Sequence, residues 1–358
     1  MTVTARAAPP GFLAEIGARV EARLTALIEA DRARWSAVDP DLAPPLESLL
    51  RFVHSGGKRL RPVFCHWAFV GLGGDPDDPL MLDAGAALEM LHTFAVIHDD
   101  IMDASERRHG AETIHTTFTR LHRARGWRGE DRRFGEGAGI LVGDLAFVYS
   151  DILLRGAPRP AWEIFDELRV EVNVGQYLDM IGTARGEATP ELAARICRYK
   201  SAKYTIERPL HLGAALAAPD RVAEVLPAFS AYGLPLGEAF QLRDDILGTF
   251  GDPVVTGKAV GEDLREGKPT LLYALARQRA VGQGAALLRE RFGAGDLSAG
   301  EVEAMQAVFA ATGSRRDVEA TIDRLVEESL AAAARLPVAA GARQALTELA
   351  HFVAGRNY

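Results

Sequence analysis

Apolar residues recur every three to four positions over long stretches of this chain, and that repeat restricts the fold more than any other feature. Residues 12–35 and 80–103 show it most clearly, because their apolar side chains fall on one face of a helix. No convincing alternation of apolar and polar residues indicates a strand. The same repeat predicts further helices at 138–155, 161–183, 190–217, 221–250, 269–282, 316–335 and 341–354. Long helices joined by short breaks at Gly and Pro predict an all-α protein built as a single large helical bundle.

Composition and charge exclude several classes of protein. The 358 residues are 48% hydrophobic and 25% charged, which is ordinary for a globular protein and unlike a collagen or a disordered chain. The length fits two average domains or one large helical domain. A net charge of −8 argues against a nucleic-acid partner, since the phosphate backbone attracts basic surfaces. An anionic ligand would therefore need local basic clusters or a metal.

The cysteines and the apolar segments bear on the compartment. Cys65 and Cys197 are too far apart in sequence to build a disulfide framework or a CxxC metal site, so we expect two buried thiols in a reducing compartment. The N-terminus lacks the apolar run of a signal peptide, and no stretch reaches the ~18 uninterrupted apolar residues of a membrane span. These features predict a cytoplasmic protein without a membrane span.

Two segments differ from the helical pattern. Residues 118–137 are dense in Arg and Gly, and the sequence leaves open whether they form a solvated loop or a lid over an anionic ligand. Residues 251–268 form a Gly-rich, charged connection between two apolar helices. Loops of this length without regular structure are often functional.

Two apolar helices end in pairs of acidic residues. In HDDIMD, Asp99 and Asp103 stand at i and i+4, so both carboxylates project from one helix face although like charges at that spacing repel. In FQLRDDILGTFGD, Asp244 and Asp245 repeat the pair, but Gly248 holds the i+4 position. Either cluster could be an ordinary charged helix end. Alternatively, two such ends facing each other would hold a small Mg²⁺ cluster with a diphosphate between them, because Mg²⁺ prefers one or two carboxylates together with phosphate oxygens.

Basic residues accompany both acidic clusters. GGKRLRP places Lys58, Arg59 and Arg61 beside two glycines, which let the backbone approach an anion closely. Further basic residues near the clusters are Arg107, Arg108, His109, Lys200, Lys258 and Lys268. This inventory is sufficient for two diphosphates, one bound through metal and one bound by cations alone.

The chain carries no motif for a catalytic nucleophile. GxSxG, HExxH, a Walker-type phosphate loop and a GxGxxG turn after a strand are all missing from the sequence. Metal-bound acids would suit phosphate hydrolysis as well as departure of a diphosphate. The absence of a nucleophile favours the second chemistry, in which metal withdraws the diphosphate and an apolar pocket holds the resulting carbocation.

Five motifs occur together in the order and spacing of a known family. They are GGKRLRP, HDDIMD, GQYLD, YKSAKYT and FQLRDDILGTFGDPVVTGK. In these motifs, over about residues 50–275, the chain resembles the trans-isoprenyl diphosphate synthases, also called polyprenyl synthetases. The resemblance implies one isoprenoid-synthase domain over 1–358, with the all-α terpenoid-synthase fold, and a homodimer. It also implies a Mg²⁺ cluster of up to three ions that assists head-to-tail condensation of an allylic diphosphate with isopentenyl diphosphate.

The resemblance assigns roles to individual residues. The metal ligands it implies are Asp99, Asp103 and Asp244, with Asp245 beside them and Asp263 nearby as support. The contacts it implies for isopentenyl diphosphate are Lys58, Arg61 and His92. Those for the allylic diphosphate are Lys200, Gln241, Lys258 and Lys268, with Ser201 where the family often has Thr. Arg107 and Arg108 are further substrate contacts. Among these, the residues expected to act in catalysis are Asp99, Asp103, Asp244, Lys200 and Lys258.

The chain departs from the family pattern in two of its motifs. The second DDxxD motif reads DDILG, so Gly248 replaces its third acid and we expect weakened metal binding. The segment RRHGAET can be aligned so that Arg107 and Arg108, or Arg108 and His109, take the place of the family's arginine pair. Arg108 belongs to the pair in both alignments.

Side chains before Asp99 are expected to set product length, because the growing chain would extend along that helix. Phe94 with the small Ala95 beside it resembles geranylgeranyl synthases, although Phe94 could also be an ordinary core aromatic. Two other functions compete: a non-catalytic or weakly active regulatory subunit of a synthase, and a class I terpene cyclase. GGKRLRP argues against the cyclase, which needs no isopentenyl site.

Overall fold

The computed structural model describes residues 9–108, 110–251 and 261–355, and it confirms the all-α fold. Two compact units make up this part of the chain. The N-terminal unit comprises Gly11–His66 and Gly74–Pro158. The C-terminal unit comprises 9–10, Trp67–Gly73 and 159–355.

Helices α4 and α6 form the centre of the N-terminal unit, where they pack against each other. A short antiparallel hairpin, β1 (Arg107–Arg108) and β2 (Ala111–Glu112), follows α4. The helices that begin in this unit are α1 (Gly11–Ser36), α2 (Ala43–His54), α3 (Leu60–Gly71), α4 (Pro79–Met102), α5 (Ile114–Arg125) and α6 (Asp131–Leu154).

Helix α10 occupies the centre of the C-terminal unit and packs against α15 and a π-helix. An apolar core in this unit is built mainly from α10, α12, α14 and α15 and includes Ile246, Leu272, Met305, Phe309 and Leu325. The elements in chain order are α7 (Arg159–Arg185), α8 (Pro190–Ile196), the π-helix (Cys197–Glu207), α9 (Arg208–Ala217), α10 (Val222–Phe250), α11 (Glu262–Glu266), α12 (Leu271–Arg279), α13 (Gly282–Arg291), α14 (Ala299–Ala311), α15 (Ser314–Ala333) and α16 (Ala340–Ala354).

Helix α4 has well-defined signals at both ends. The Asp78 side chain accepts a hydrogen bond from the backbone N–H of Leu80, and Pro79 occupies the first turn. At the other end Ala104 adopts φ 52°, and the N–H groups of Ala104 and Ser105 donate to the carbonyls of Ile101 and Asp100. This is the Schellman pattern, here with alanine where glycine is usual. It stops the helix directly after the HDDIMD acids.

The π-helix lies between two helices that approach it through glycine. A Cβ on Gly175 of α7 would lie 2.3 Å from the backbone nitrogen of Lys200, and one on Gly237 of α10 would lie 2.5 Å from the carbonyl oxygen of Ala202. No other residue type fits these two contacts. The π-helix is eleven residues long, whereas most π-helices are single turns at functional sites.

The predicted long helices are confirmed, with two changes: 190–217 consists of α8, the π-helix and α9, and the helix predicted at 138–155 begins earlier, at Asp131. Residues 118–137, for which the sequence left a solvated loop or a lid open, are mostly helical, because α5 continues to Arg125 and α6 begins at Asp131. The Arg-rich pattern belongs to the polar faces of these helices, where Arg123 pairs with Asp131 and Arg132 with Glu136. On the other face, ring contacts among His122, Trp127 and Phe134 hold the connection together.

Both cysteines are free and buried, as expected from the sequence. Two described helices, α4 and α6, are long and apolar enough to cross a bilayer by length and composition alone. This is weak evidence, since a core helix passes the same test, and 61% of the apolar window in α4 is buried within the fold.

Candidate active site

The first acidic cluster lies at the C-terminal end of α4. Asp99 and Asp103 are partly exposed, and the N–H of Asp103 donates to the Asp99 carbonyl at 2.8 Å, so the two side chains are one helical turn apart. Asp100 points into the protein and is 2% exposed. The cluster therefore presents two accessible carboxylates above one buried carboxylate.

The β1–β2 hairpin brings one arginine onto these acids. The Nε of Arg108 donates to Oδ1 of Asp100 at 2.7 Å, and its Nη2 lies 3.7 Å from Oδ2 of Asp99. Arg107 is exposed and donates to the carbonyl of Gly110 instead. His109 lies outside the described residues. Of the two arginines predicted to contact substrate, Arg108 is therefore the one that contacts the acidic cluster.

Burial controls the charge of Asp100. It raises the pKa of that carboxyl to about 6, and the nearby Asp99 and Asp103 act in the same direction while Arg108 opposes them. An additional cation near these three acids would favour their ionised forms. The environment thus suits a site where positive charge binds.

The GGKRLRP segment connects α2 to α3, and its three cationic side chains lie in different environments. Lys58 is exposed and Arg61 is partly buried. Arg59 is directed inward: its Nη1 lies 2.6 Å from Oε2 of Glu89 on α4. The sequence grouped Arg59 with the cations available to an anion, but this ion pair occupies it. Glu89 stands three residues before His92, which is partly buried on α4.

Phe94 lies at a helix–helix contact. Its ring centroid is 4.9 Å from that of Phe147 on α6 and 4.6 Å from the ring of His98. Phe94 and Ala95 are both partly exposed. The residue is therefore neither a free surface aromatic nor a fully enclosed core residue.

The second acidic cluster combines the end of α10 with α11. Asp244 is partly exposed, whereas Asp245 is buried and accepts a hydrogen bond from Nε2 of Gln241 at 2.7 Å. A Cβ on Gly248 would lie 2.1 Å from Oδ2 of Asp263. The carboxylate of Asp263 therefore fills the space beside Gly248, next to where the family motif carries its third acid.

The acids of the second cluster act on one another. The pKa of Asp245 is raised to about 8, first by burial and then by Asp263 and Asp244, while the Gln241 hydrogen bond and Lys268 lower it. Lys268 also pairs with Glu266, whose Oε2 lies 2.5 Å from its Nζ. Gly267 has φ 70° and ends α11 directly before Lys268.

Lys200 and Ser201 lie in the π-helix, and both are partly exposed. The Nζ of Lys200 is 2.5 Å from Oδ2 of Asp179, the acid of the GQYLD motif on α7. Sequence reasoning gave Asp179 no role, although the motif itself was part of the match. Lys258 lies outside the described residues, so its predicted contact with substrate stays a prediction.

Neither cluster is a metal cage by itself. Within 9–108, 110–251 and 261–355, no group of three or more His, Cys, Asp or Glu side chains is arranged to hold a metal ion. A small set of carboxylates suits Mg²⁺, which completes its shell with substrate phosphate oxygens and water. The donor chemistry of the partly exposed Asp99, Asp103 and Asp244 fits such a cation.

Comparison with known proteins identifies the family. The polyprenyl synthetase family model matches residues 44–309. The chain belongs to the polyprenyl synthetase family. A short chain isoprenyl diphosphate synthase from Methanothermobacter thermautotrophicus is 31% identical over 331 residues, covering 89% of this chain and 93% of that protein. An octaprenyl diphosphate synthase from Haemophilus influenzae is 30% identical over 321 residues, covering 88% and 89%.

A solved structure shows the same fold. It is a geranylgeranyl pyrophosphate synthase from Corynebacterium glutamicum in complex with isoprenyl diphosphate and magnesium. It is 36% identical to this chain with a TM-score of 0.89, covering 95% of this chain and 98% of that one. This member of the polyprenyl synthetase family is therefore a trans-prenyltransferase that makes polyprenyl diphosphates. Since the relatives differ in the chain length they are named for, family membership alone does not fix the product.

Proposed function

We propose that this prenyltransferase is a Mg²⁺-dependent geranylgeranyl diphosphate synthase, which condenses isopentenyl diphosphate head-to-tail with an allylic diphosphate. The product assignment depends on the position of Phe94. This residue lies on α4, the helix of the first acidic cluster, and its ring contacts that of Phe147 on α6. Five residues of α-helix place Phe94 about 7.5 Å along the axis from Asp99. A ring at that position would limit the length to which a prenyl chain can grow along α4.

The acids would hold the metal. In this proposal Asp99, Asp103 and Asp244 are the Mg²⁺ ligands, Asp245 supports Asp244, and up to three ions bind with the diphosphate. When bound, Mg²⁺ stabilises the negative charge that develops on the departing diphosphate oxygens. Arg108 holds Asp99 and Asp100 in place through the contacts described above.

The cations would bind the two substrates separately. Lys58, Arg61 and His92 would hold isopentenyl diphosphate without metal. The allylic diphosphate would be held by Arg107, Arg108, Lys200, Ser201, Gln241, Lys258 and Lys268. The C–O bond of the allylic substrate breaks with its electron pair on the diphosphate, and the isopentenyl double bond then attacks the allylic cation to form the new C–C bond. The tertiary cation that results would lose a proton to the released diphosphate, which forms the double bond of the product.

The proposal extends to the whole chain. We propose that residues 1–358 act as one synthase domain, since the family match runs through both units. Helix α7 exposes Val170, Val174 and Tyr177 at 59%, 46% and 64%, on one helix face at i, i+4 and i+7. Such an exposed apolar face suits a second copy of the chain, and light scattering of the pure protein tests the expected homodimer. The free, buried thiols fit a cytoplasmic location.

The deciding experiment is a product analysis. The pure chain is incubated with Mg²⁺, labelled isopentenyl diphosphate and allylic primers of five, ten or fifteen carbons, and the products are sized by chromatography. We expect a twenty-carbon diphosphate from each accepted primer, and none in the presence of a chelator. A different length would refute the geranylgeranyl assignment but not the synthase activity.

Asp103→Ala provides the matched control. Asp103 caps α4 from a partly exposed position, so its removal takes away no core group and the fold should survive. Turnover should drop by several orders of magnitude with an unchanged circular dichroism spectrum. Near-normal turnover with unchanged Mg²⁺ dependence would contradict the metal assignment. No product from wild type with any primer would favour the regulatory-subunit alternative.

A further inference from the structure

Arg59 is a buried cation inside the GGKRLRP segment, between the two basic residues assigned to isopentenyl diphosphate. Its side chain is 9% exposed, and that of Glu89 is 2% exposed. Besides the 2.6 Å contact to Glu89, its Nη2 donates to the carbonyl of Val53 and lies 3.5 Å from Oε2 of Glu21. The guanidinium therefore connects the segment to α1, α2 and α4 at once.

The backbone at this point is under conformational constraint. Arg59 has φ 47°, a left-handed conformation that a residue with a side chain adopts only at a cost. Gly56 and Gly57 before it also have positive φ, at 92° and 137°. A segment of this kind keeps one shape only if the surrounding structure holds it there. The contacts of the Arg59 side chain provide that support.

Helix α1 is shaped to accept this side chain. A Cβ on Gly17 would lie 3.3 Å from Cγ of Arg59, closer than a Cβ usually approaches. Glycine at 17 therefore leaves space for Arg59, and Glu21 on the next turn of α1 faces the same guanidinium. Both residues precede position 44, where the match to the family begins.

We propose that Arg59 is a positioning residue, anchored by Glu89 and α1, which fixes the backbone that presents Lys58 and Arg61 to isopentenyl diphosphate. The inference rests on the proposed function of those two residues. Arg59 itself does not contact the diphosphate. Helix α4 then contributes two residues to the site. Glu89 anchors the GGKRLRP segment through Arg59, and His92, one turn later, is assigned to isopentenyl diphosphate.

The test compares two ion pairs that share α4 as the element carrying the acid. Glu89→Gln removes the charge opposite Arg59, whereas Asp83→Asn removes the charge opposite Arg23 in a pair between α1 and α4 that does not touch the segment. We measure the KM for isopentenyl diphosphate and for the allylic primer, the melting temperature, and calorimetric binding of isopentenyl diphosphate in a chelator.

Glu89→Gln should raise the KM for isopentenyl diphosphate about tenfold and weaken its metal-free binding by a similar factor. The KM for the allylic primer should change much less. Asp83→Asn should alter only the melting temperature. If Glu89→Gln lowers the melting temperature but leaves both isopentenyl measurements unchanged, Arg59 is merely structural and the proposal is overturned. Inactive wild type would instead overturn the proposed function.

A second variant covers the case in which Glu89→Gln does not fold. Gly17→Ala should stabilise α1 through its higher helix propensity, yet its Cβ forces Arg59 to move by a few tenths of an ångström. We expect an unchanged or higher melting temperature together with a KM for isopentenyl diphosphate raised roughly two- to fivefold. A stabilised variant with wild-type KM would also refute the positioning role.

Discussion

Position 248 distinguishes the second acidic cluster of this chain from the family motif. Glycine there would ordinarily mean one acid fewer, but the carboxylate of Asp263 comes from α11 and fills the adjacent space. The cluster thus keeps three acids close together, Asp244, Asp245 and Asp263, and the pKa of Asp245 is raised first by burial and then by repulsion from Asp263 and Asp244.

Gly248→Asp should therefore harm the protein even though it restores the family motif. The new Cβ would lie 2.1 Å from Oδ2 of Asp263, and the added carboxylate would increase repulsion among the acids. We expect a loss of about 1–3 kcal/mol in unfolding free energy, typical of overpacking, and no gain in Mg²⁺-dependent turnover. Chemical denaturation and a Mg²⁺ titration measure the two effects.

A compensating variant provides the control. Gly248→Asp combined with Asp263→Gly removes the collision and keeps the number of acids constant. It should recover stability relative to the single variant. If the single variant is as stable as wild type and more active, Asp263 does not take the place of the missing acid.

Phe94 is the residue on which product length depends in our proposal. Phe94→Ala should lengthen the product, because removing the ring opens space as far as Phe147. A fully packed Phe would cost about 3–5 kcal/mol when truncated, and we expect less for the partly exposed Phe94. Chromatography of the products and the melting temperature are measured together. Phe165→Leu, a fully buried residue of the other unit, should lower stability without changing product length.

A large loss of stability in Phe94→Ala with an unchanged product would show that Phe94 is an ordinary core aromatic. That outcome would remove the main structural support for geranylgeranyl diphosphate as the product.

At the scale of elements, the π-helix determines where Lys200 is held. Gly175 and Gly237 allow α7 and α10 to approach it, and Asp179 then pairs with Lys200 from one turn beyond Gly175. The ammonium group of Lys200 is therefore held in place both by the backbone of the π-helix and by the ion pair with Asp179. The element therefore positions a residue that our proposal assigns to the allylic diphosphate.

Asp179→Asn should remove the ion pair that holds the ammonium group of Lys200 in position. A hydrogen bond to a charged group contributes about 1.5–3 kcal/mol, so we expect the KM for the allylic primer to rise roughly ten- to a hundredfold. The KM for isopentenyl diphosphate should change little. Glu238→Gln, which removes the partner of the more exposed Arg198 on the same π-helix, should leave both constants near wild type. Equal increases for both substrates in Asp179→Asn would contradict separate roles for the two sets of cations.

The sequence predicts elements well where the repeat of apolar residues extends over many turns. Helices α1 and α4 were predicted within one residue of their observed ends, because the repeat runs through 26 and 24 residues. Helix α3 was missed, since its 12 residues offer only about three turns in which the repeat could be recognised. The π-helix was also missed, since it depends on contacts with glycines in distant helices.

The same distinction holds for the candidate site. Motifs supplied the positions of the acids and cations, because these residues are close together in sequence. They did not supply the partners Glu89 and Asp179, which lie 30 and 21 residues from Arg59 and Lys200. Pairing at that separation is created by the packing of helices, which local patterns do not encode.

For the whole molecule, acid should weaken the fold through His211. This side chain is buried between Arg208 and Ser230, and burial lowers its pKa to about 3, assisted by Arg208 and Lys203 and opposed by Glu171. In the unfolded chain the pKa is near 6.5. The unfolded state therefore binds a proton that the folded state does not, so stability is complete above pH 6.5 and declines as the pH falls toward 3.

The expected slope from this group is at most about 1.4 kcal/mol per pH unit. Denaturation of wild type and His211→Asn between pH 7 and 4 measures it, and the difference between the two curves isolates His211 from the other titrating groups. His66, whose pKa is lowered to about 4, acts in the same direction in both proteins and cancels. A constant difference across this range would show that His211 does not contribute to acid sensitivity.

The two buried thiols can be used to measure how often each unit of the protein opens to solvent. Cys65 belongs to the N-terminal unit and Cys197 to the C-terminal unit, and burial raises the pKa of both far above the ordinary range. Because only an accessible thiolate reacts with an alkylating reagent, each cysteine is inert until its own unit opens. In variants that keep only one cysteine, the rate of alkylation would therefore report the opening of one unit at a time. The folded protein would need no dye or added label.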